Sequence, residues 1–136
     1  DVYVVGYDYE DSCATAPEVC LGVPYFNWGP EYLNAAMDVV HGEFSSQFVW
    51  MSPNWDDMND EDSSIIGYKI GEAMSASETT KLETFILELG SGKTELFQGP
   101  LNFQDGTSYL SDGVEATDNE IWYTPQLLEG MVGDSQ

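Results

Sequence analysis

The first apolar run, VYVVGYD (2–8), places β-branched and aromatic residues on consecutive rather than alternating positions. A strand apolar on both faces belongs inside a parallel sheet, so a central parallel strand ending at Asp8 is expected. CLGVPYF (20–26) predicts a second strand, which Pro24 should hold near an edge or an end because proline cannot donate to a ladder. Pro30 then stands at a first helical position. Leu33, Ala36, Met37 and Val40 recur at helical spacing until Gly42 stops the helix. QFVWMS (47–52) predicts a third strand, and strand, loop, strand, helix, strand is the α/β pattern.

Further on, PNWDDMNDEDS (53–63) reads as an acidic loop, and SIIGYKI (64–70) as a short strand or the start of a helix. A second helix is expected over about 77–89. Ser75 and Glu78 form its capping box, while Leu82, Phe85, Ile86 and Leu89 make its apolar face. GSGK (90–93) ends it. TELFQGPL (94–101) reads as a strand, and NFQDGTSYL as a hairpin turning at Asp105-Gly106. The last stretch mixes the short apolar pieces IWY and LLEGMV with turn signals, and no internal repeat or low-complexity segment occurs.

Composition narrows the class. The chain has 136 residues and is 42% hydrophobic, which fits one folded domain over 1–136 rather than a disordered acidic tail. No apolar run approaches the ~18 residues of a membrane span, so membrane insertion is not expected. The chain does not open on a basic region followed by an apolar one, so no signal peptide is expected. Opening directly on a strand reads as a processed chain or a piece of something longer. Against 25 acidic side chains stand 3 lysines and no arginine, a net charge of −22. Such a charge repels phosphate backbones and anionic lipid, which excludes nucleic acid as a partner class. The acids are spread along the chain, as on a solvated surface in salty or extracellular surroundings.

Cys13 and Cys20 lie in DSCATAPEVC. A disulfide and an oxidising compartment are the expectation, two unpaired thiols with one of them buried being the other reading. The spacing is not that of a zinc site.

Catalytic chemistry finds little footing. A hydrolytic triad needs a base, and the only imidazole, His41, precedes the helix-ending Gly42, where it suits the last carbonyls of the helix. No spacing singles out a pair of carboxylates for glycoside chemistry. GSGK lacks the leading glycine of a phosphate loop and follows a helix rather than a strand. Asp57, Asn59 and Glu61 alternate as calcium ligands would. The glycine expected next is Asp62, however, and position twelve falls on Tyr68, so they are weak metal candidates. No cofactor is expected.

Three segments taken in order carry a resemblance: VYVVGYDYEDSCATAPEV, then NWGPEYLNAAMDVVHGEF, then GKTELFQGPLNFQDGTSYLSDG with a closing LLEGMVG. Together they resemble the C-terminal portion of the basic membrane protein family. Its members are nucleoside- and purine-binding lipoproteins that serve ABC importers and resemble type I periplasmic binding proteins. The resemblance covers nearly the whole chain and is closest at 2–44 and 92–133. It implies one α/β lobe, a largely parallel sheet flanked by helices and incomplete relative to the family, in a non-enzymatic two-lobed binder. The first lobe and the start of the second would be absent, so a missing N-terminal lobe or a neighbouring subunit becomes a partner. An ABC permease is a further partner, and the location is extracellular, periplasmic or at the cell surface.

The resemblance also implies a site. Asp8, at the carboxyl end of a parallel strand, would accept hydrogen bonds from ligand sugar hydroxyls or line that part of the cleft. Phe26, Asn27 and Trp28 would face the same cleft, an aromatic stacking on a purine and Asn27 reading its edge. Phe26 stands where many members carry tryptophan or a polar group, which leaves the base preference open. The acidic stretch after Trp50 and the cysteine pair also depart from the family pattern. A rival reading keeps the fold without the ligand: an extracellular assembly module whose open sheet edges are covered by neighbouring subunits.

Overall fold

The computed structural model describes residues 2–134. The chain divides into two compact units between Leu87 and Glu88.

The first unit is built on a sheet ordered β1-β2-β3, with β1 at Val4–Val5, β2 at Cys20–Phe26 and β3 at Ile66–Ile70. β1 runs parallel to β2 and β3 antiparallel to it, so the sheet is mixed within the expected α/β class. β2 has the bounds its composition predicted, but Pro24 is not at an edge. It sits in the middle strand, opposite Tyr68 of β3. The sheet tolerates it because Gly6 N–H donates to Gly22 O, Asp8 N–H to Pro24 O and Phe26 N–H to Asp8 O. Only the one rung that a proline nitrogen cannot make is missing. The stretch 2–8 is correspondingly not a central strand. It is a short, exposed edge with a register shift between Val4 and Val5.

The core is small. Cys20 and Val23 are the apolar side chains fully buried in this unit, and Ser64 is its fully buried polar one. Tyr25 lies over Gly67, where an added Cβ would meet its ring at 2.1 Å, so the pairing of Tyr25 with Gly67 needs glycine. Two 3-10 turns, Glu10–Thr15 and Pro17–Val19, return the chain from Asp8 to β2. A disulfide between Cys13 and Cys20, Cα atoms 5.6 Å apart, closes that excursion and decides the cysteine question. Lys69 of β3 reaches over to Glu10 (3.1 Å) and Asp11 (2.7 Å).

α1, Gly29–His41, follows β2 directly and ends at Gly42 in a left-handed conformation (φ 75°) that caps the helix. His41 is its last residue. The expected third strand, 47–52, does not form: these residues are coil, exposed except for the half-buried Met51. A strand needs a ladder, and neither sheet of the described residues takes this run as a member. α2, Ala76–Gly90, starts from the predicted capping box. Ser75 Oγ accepts from Glu78 N–H, and the Glu78 carboxylate accepts from the Ser75 N–H and hydroxyl.

The second unit holds the predicted hairpin. β4 (Leu101–Asn102) pairs antiparallel with β5 (Ser108–Leu110) through a turn at Asp105-Gly106. The Asp105 carboxylate accepts from the Thr107 N–H and hydroxyl. Residues 94–101 do not form one strand. Only a bridge between Gln98 and Glu115 precedes β4, Pro100 having no N–H for a longer ladder. Leu128 bridges to Phe103 on the other side. A short helix, α3 (Asp118–Trp122), begins at a full Thr117–Glu120 capping box. Among the described residues, no helix is long and apolar enough to cross a membrane.

Candidate functional site

The ends of β1 and β2 bring four rings into a continuous run. Tyr7 meets Phe26 edge-on at 5.8 Å, Phe26 lies 5.3 Å from Trp28, and Trp28 stacks on Tyr32 at 6.1 Å. The cause is local. Tyr7 precedes Asp8, whose backbone is bonded to both Pro24 and Phe26. Trp28 and Tyr32 stand four residues apart at the start of α1, where helical neighbours meet. Trp28 is 55% exposed and Tyr32 68%, so the run is a platform open to solvent rather than buried packing.

Asp8 stands next to this platform with φ 74°, the one left-handed residue other than glycine among the described residues. Such a conformation is uncommon for a side-chain-bearing residue, though aspartate tolerates it better than most. Its carboxylate is exposed and makes no hydrogen bond or ion pair with another described residue. Asp8 is bonded through its backbone to Phe26, whose ring meets Trp28, so these three lie together.

Asn27 is placed otherwise. Its amide nitrogen donates to Glu61 O (2.6 Å) and Ser64 O (2.8 Å), while its oxygen accepts from Gly29 N–H (3.3 Å). Both amide donors are engaged by the backbone, so Asn27 cannot offer a base edge a donor without releasing the loop it holds. Its work is to tie β2 to residues 61–64 and to seat the first turn of α1. Tyr7 and Tyr32 were missed from sequence. The four-residue spacing of Tyr32 from Trp28 was the available signal for one, and the adjacency of Tyr7 to Asp8 for the other.

The calcium candidates serve the loop itself. Asn59 Oδ1 accepts from Tyr68 N–H (2.9 Å) and the Tyr25 hydroxyl (3.2 Å), and Asp57 Oδ1 accepts from Asn59 N–H (3.1 Å). Glu61 contributes its carbonyl to Asn27. Among the described residues no group of three or more His, Cys, Asp or Glu is placed to hold a metal ion. Burial, and then the carboxylates of Glu10, Glu61 and Asp57, raise the Tyr25 hydroxyl above its ordinary pKa, so it stays a neutral donor to Asn59.

No family model matches the chain. It is similar to a purine-binding protein of Brucella abortus (strain 2308), with 30% identity over 118 residues. That match takes in 82% of this chain and 29% of the relative, so the chain spans less than a third of the length of the curated protein it matches. Its mixed α/β architecture, with a parallel pair in the sheet, is compatible with one lobe of a binding-protein fold.

Proposed function

We propose that this chain forms one wall of a purine or nucleoside site in a non-catalytic binding protein. The aromatic run Tyr7–Phe26–Trp28–Tyr32 carries the reading, because exposed rings in a row suit a flat heterocycle. Stacking of one base on such a ring contributes about 1–3 kcal/mol. Beside it, the unpartnered Asp8 carboxylate is an acceptor for the hydroxyls of a ribose. A neutral nucleoside suits a chain of net charge −22, which would repel a nucleotide. The similarity to a purine-binding protein supports the same ligand class.

The finer reading goes with this one. The chain belongs to the basic membrane protein family and acts outside the cytoplasm, delivering ligand to an ABC permease. An open platform supplies only half of a closed site, so a second lobe or a neighbouring subunit completes it.

The test is a fluorescence titration of the full chain with adenosine, guanosine and free purine, repeated on Trp28→Ala. Saturable quenching in the parent chain, lost in the variant, is the expected result. Quenching of equal size in the parent chain and in Trp28→Ala would overturn the reading, because the ligand would then not rest on the platform. The assembly alternative would then lead, because α1 has no buried residue and leaves Leu33, Met37 and Val40 uncovered.

A further inference from the structure

A second feature of the first unit lies outside the aromatic platform. Between the acidic loop and α2 lies a groove of about 470 Å³. Ile70 of β3 and Leu82 and Ile86 of α2 give it apolar walls, and Trp55 stands at the loop side with 39% of its surface exposed. Acidic residues line both walls, Asp56 and Asp57 on the loop and Glu83 on the helix, and all three are exposed to solvent.

No lysine among the described residues pairs with them. Of the three lysines, Lys69 is held by Glu10 and Asp11, Lys93 pairs with Glu88, and Lys81 is not among the lining residues. The Asp57 carboxylate accepts from the Asn59 N–H, while the carboxylates of Asp56 and Glu83 engage no partner among the described residues. The loop wall is also fixed in place. Asn54 Oδ1 accepts from Asp56 N–H (3.0 Å), Asn54 N–H donates to Ser64 Oγ (3.0 Å), and Asn59 is bonded to Tyr25 and Tyr68. A preformed groove loses little conformational freedom when a ligand enters.

We infer that this groove binds an aliphatic ammonium compound of the α,ω-diamine class. Its methylene chain lies against Ile70, Leu82 and Ile86, one ammonium meets Asp56 and Asp57, and the other meets Glu83. Trp55 adds the face of an indole to an ammonium at the loop end, the strongest aromatic partner for a cation. The charge pattern excludes an anion. An apolar ligand without charge would gain nothing from the three acidic residues, whereas an ammonium gains their attraction. The volume lies within the ~300–1,000 Å³ range of small-molecule sites.

The test is calorimetric titration of the full chain with 1,4-diaminobutane at neutral pH and moderate salt, joined to amide chemical-shift mapping. One saturable site is expected, with shifts confined to the Trp55 indole and the amides of 55–59 and 82–87. Glu83→Gln should weaken binding about two- to fivefold, as loss of one exposed charge partner does. Glu31→Gln removes the same charge from α1, outside the groove, and should leave affinity unchanged. 1,4-Butanediol, equal in length but uncharged, should not bind. The inference is overturned if both variants weaken binding equally, if the shifts spread over the whole acidic surface, or if no saturable heat appears. None of these readouts involves Trp28, so the purine reading stands or falls separately.

Discussion

β2 and α1 are consecutive in the chain, are predicted by equally regular patterns, and end up in opposite environments. Cys20 and Val23 of β2 are essentially inaccessible, whereas α1 buries no residue and leaves Val40 77% exposed. The helix has a clear apolar stripe at Leu33, Ala36, Met37 and Val40, and Gly42 stops it where expected. An apolar period therefore specifies an element and the face it would bury. Whether that face is buried depends on what the rest of the chain brings to it. β2 receives β1 on one side, β3 on the other and a disulfide-tethered turn against it. α1 receives no comparable cover among the described residues.

The sharpest test of this contrast truncates one valine in each element. Val23→Ala should lower unfolding stability by about 2–3 kcal/mol, through lost burial and the cavity left in a core that cannot readily collapse. Val40→Ala should change it by no more than about 0.5 kcal/mol, the range of surface substitutions. Urea unfolding followed by near-ultraviolet circular dichroism measures both. Equal, large losses would mean that α1 is packed in solution after all.

Removing the covalent tether is the next largest perturbation. Cys13–Cys20 closes a loop of eight residues. In the chain-entropy account such a closure is worth about 2.5 kcal/mol through the unfolded state. Cys13→Ser combined with Cys20→Ala should cost about that much, and the loss should appear in the first unit, leaving the Leu101–Leu110 hairpin intact. Hydrogen exchange resolves the two. If protection of β2 is unchanged, the strand is held by its ladders and the tether adds nothing.

Local signals were the legible ones. The Ser75–Glu78 box, the Asp105-Gly106 turn and Gly42 each act within a few residues, and each is where the sequence put it. The Thr117–Glu120 box was equally local, but the broken apolar pieces around it hid the helix it opens. Failures came where the deciding partner is remote. Residues 47–52 have the composition of a strand, yet a ladder needs a neighbour that no local pattern announces. Pro24 reads as an edge marker, but a single missing rung is tolerated when the flanking rungs from Asp8 and Phe26 are intact. For the candidate site, Asp8, Phe26 and Trp28 came from the family resemblance, and on the residues alone Phe26 and Trp28 would equally have suited core aromatics. Asn27 could not be judged, because the carbonyls it donates to belong to Glu61 and Ser64, more than thirty positions away.

The smallest effect concerns the cap of α2, and it separates local from global electrostatics. Hydrogen bonds from the Ser75 hydroxyl and then its backbone N–H hold the Glu78 carboxyl below its ordinary value of 4.5. A carboxyl depressed in the folded state contributes stability above its unfolded value, and that contribution is lost as pH falls through the folded one. Acidification also relieves the repulsion of a chain at −22, which works in the opposite direction on global stability. A local probe is therefore required. Exchange protection of the first-turn amides of α2 should decline as pH drops from about 4.5 in the parent chain. In Ser75→Ala that protection should already be about fivefold lower at neutral pH, as expected for loss of an N-cap. It should also respond far less to acid, and the Glu78 titration should move up toward its ordinary value. If parent and variant decline in parallel, the acid response of α2 belongs to the net charge of the whole chain and not to its cap.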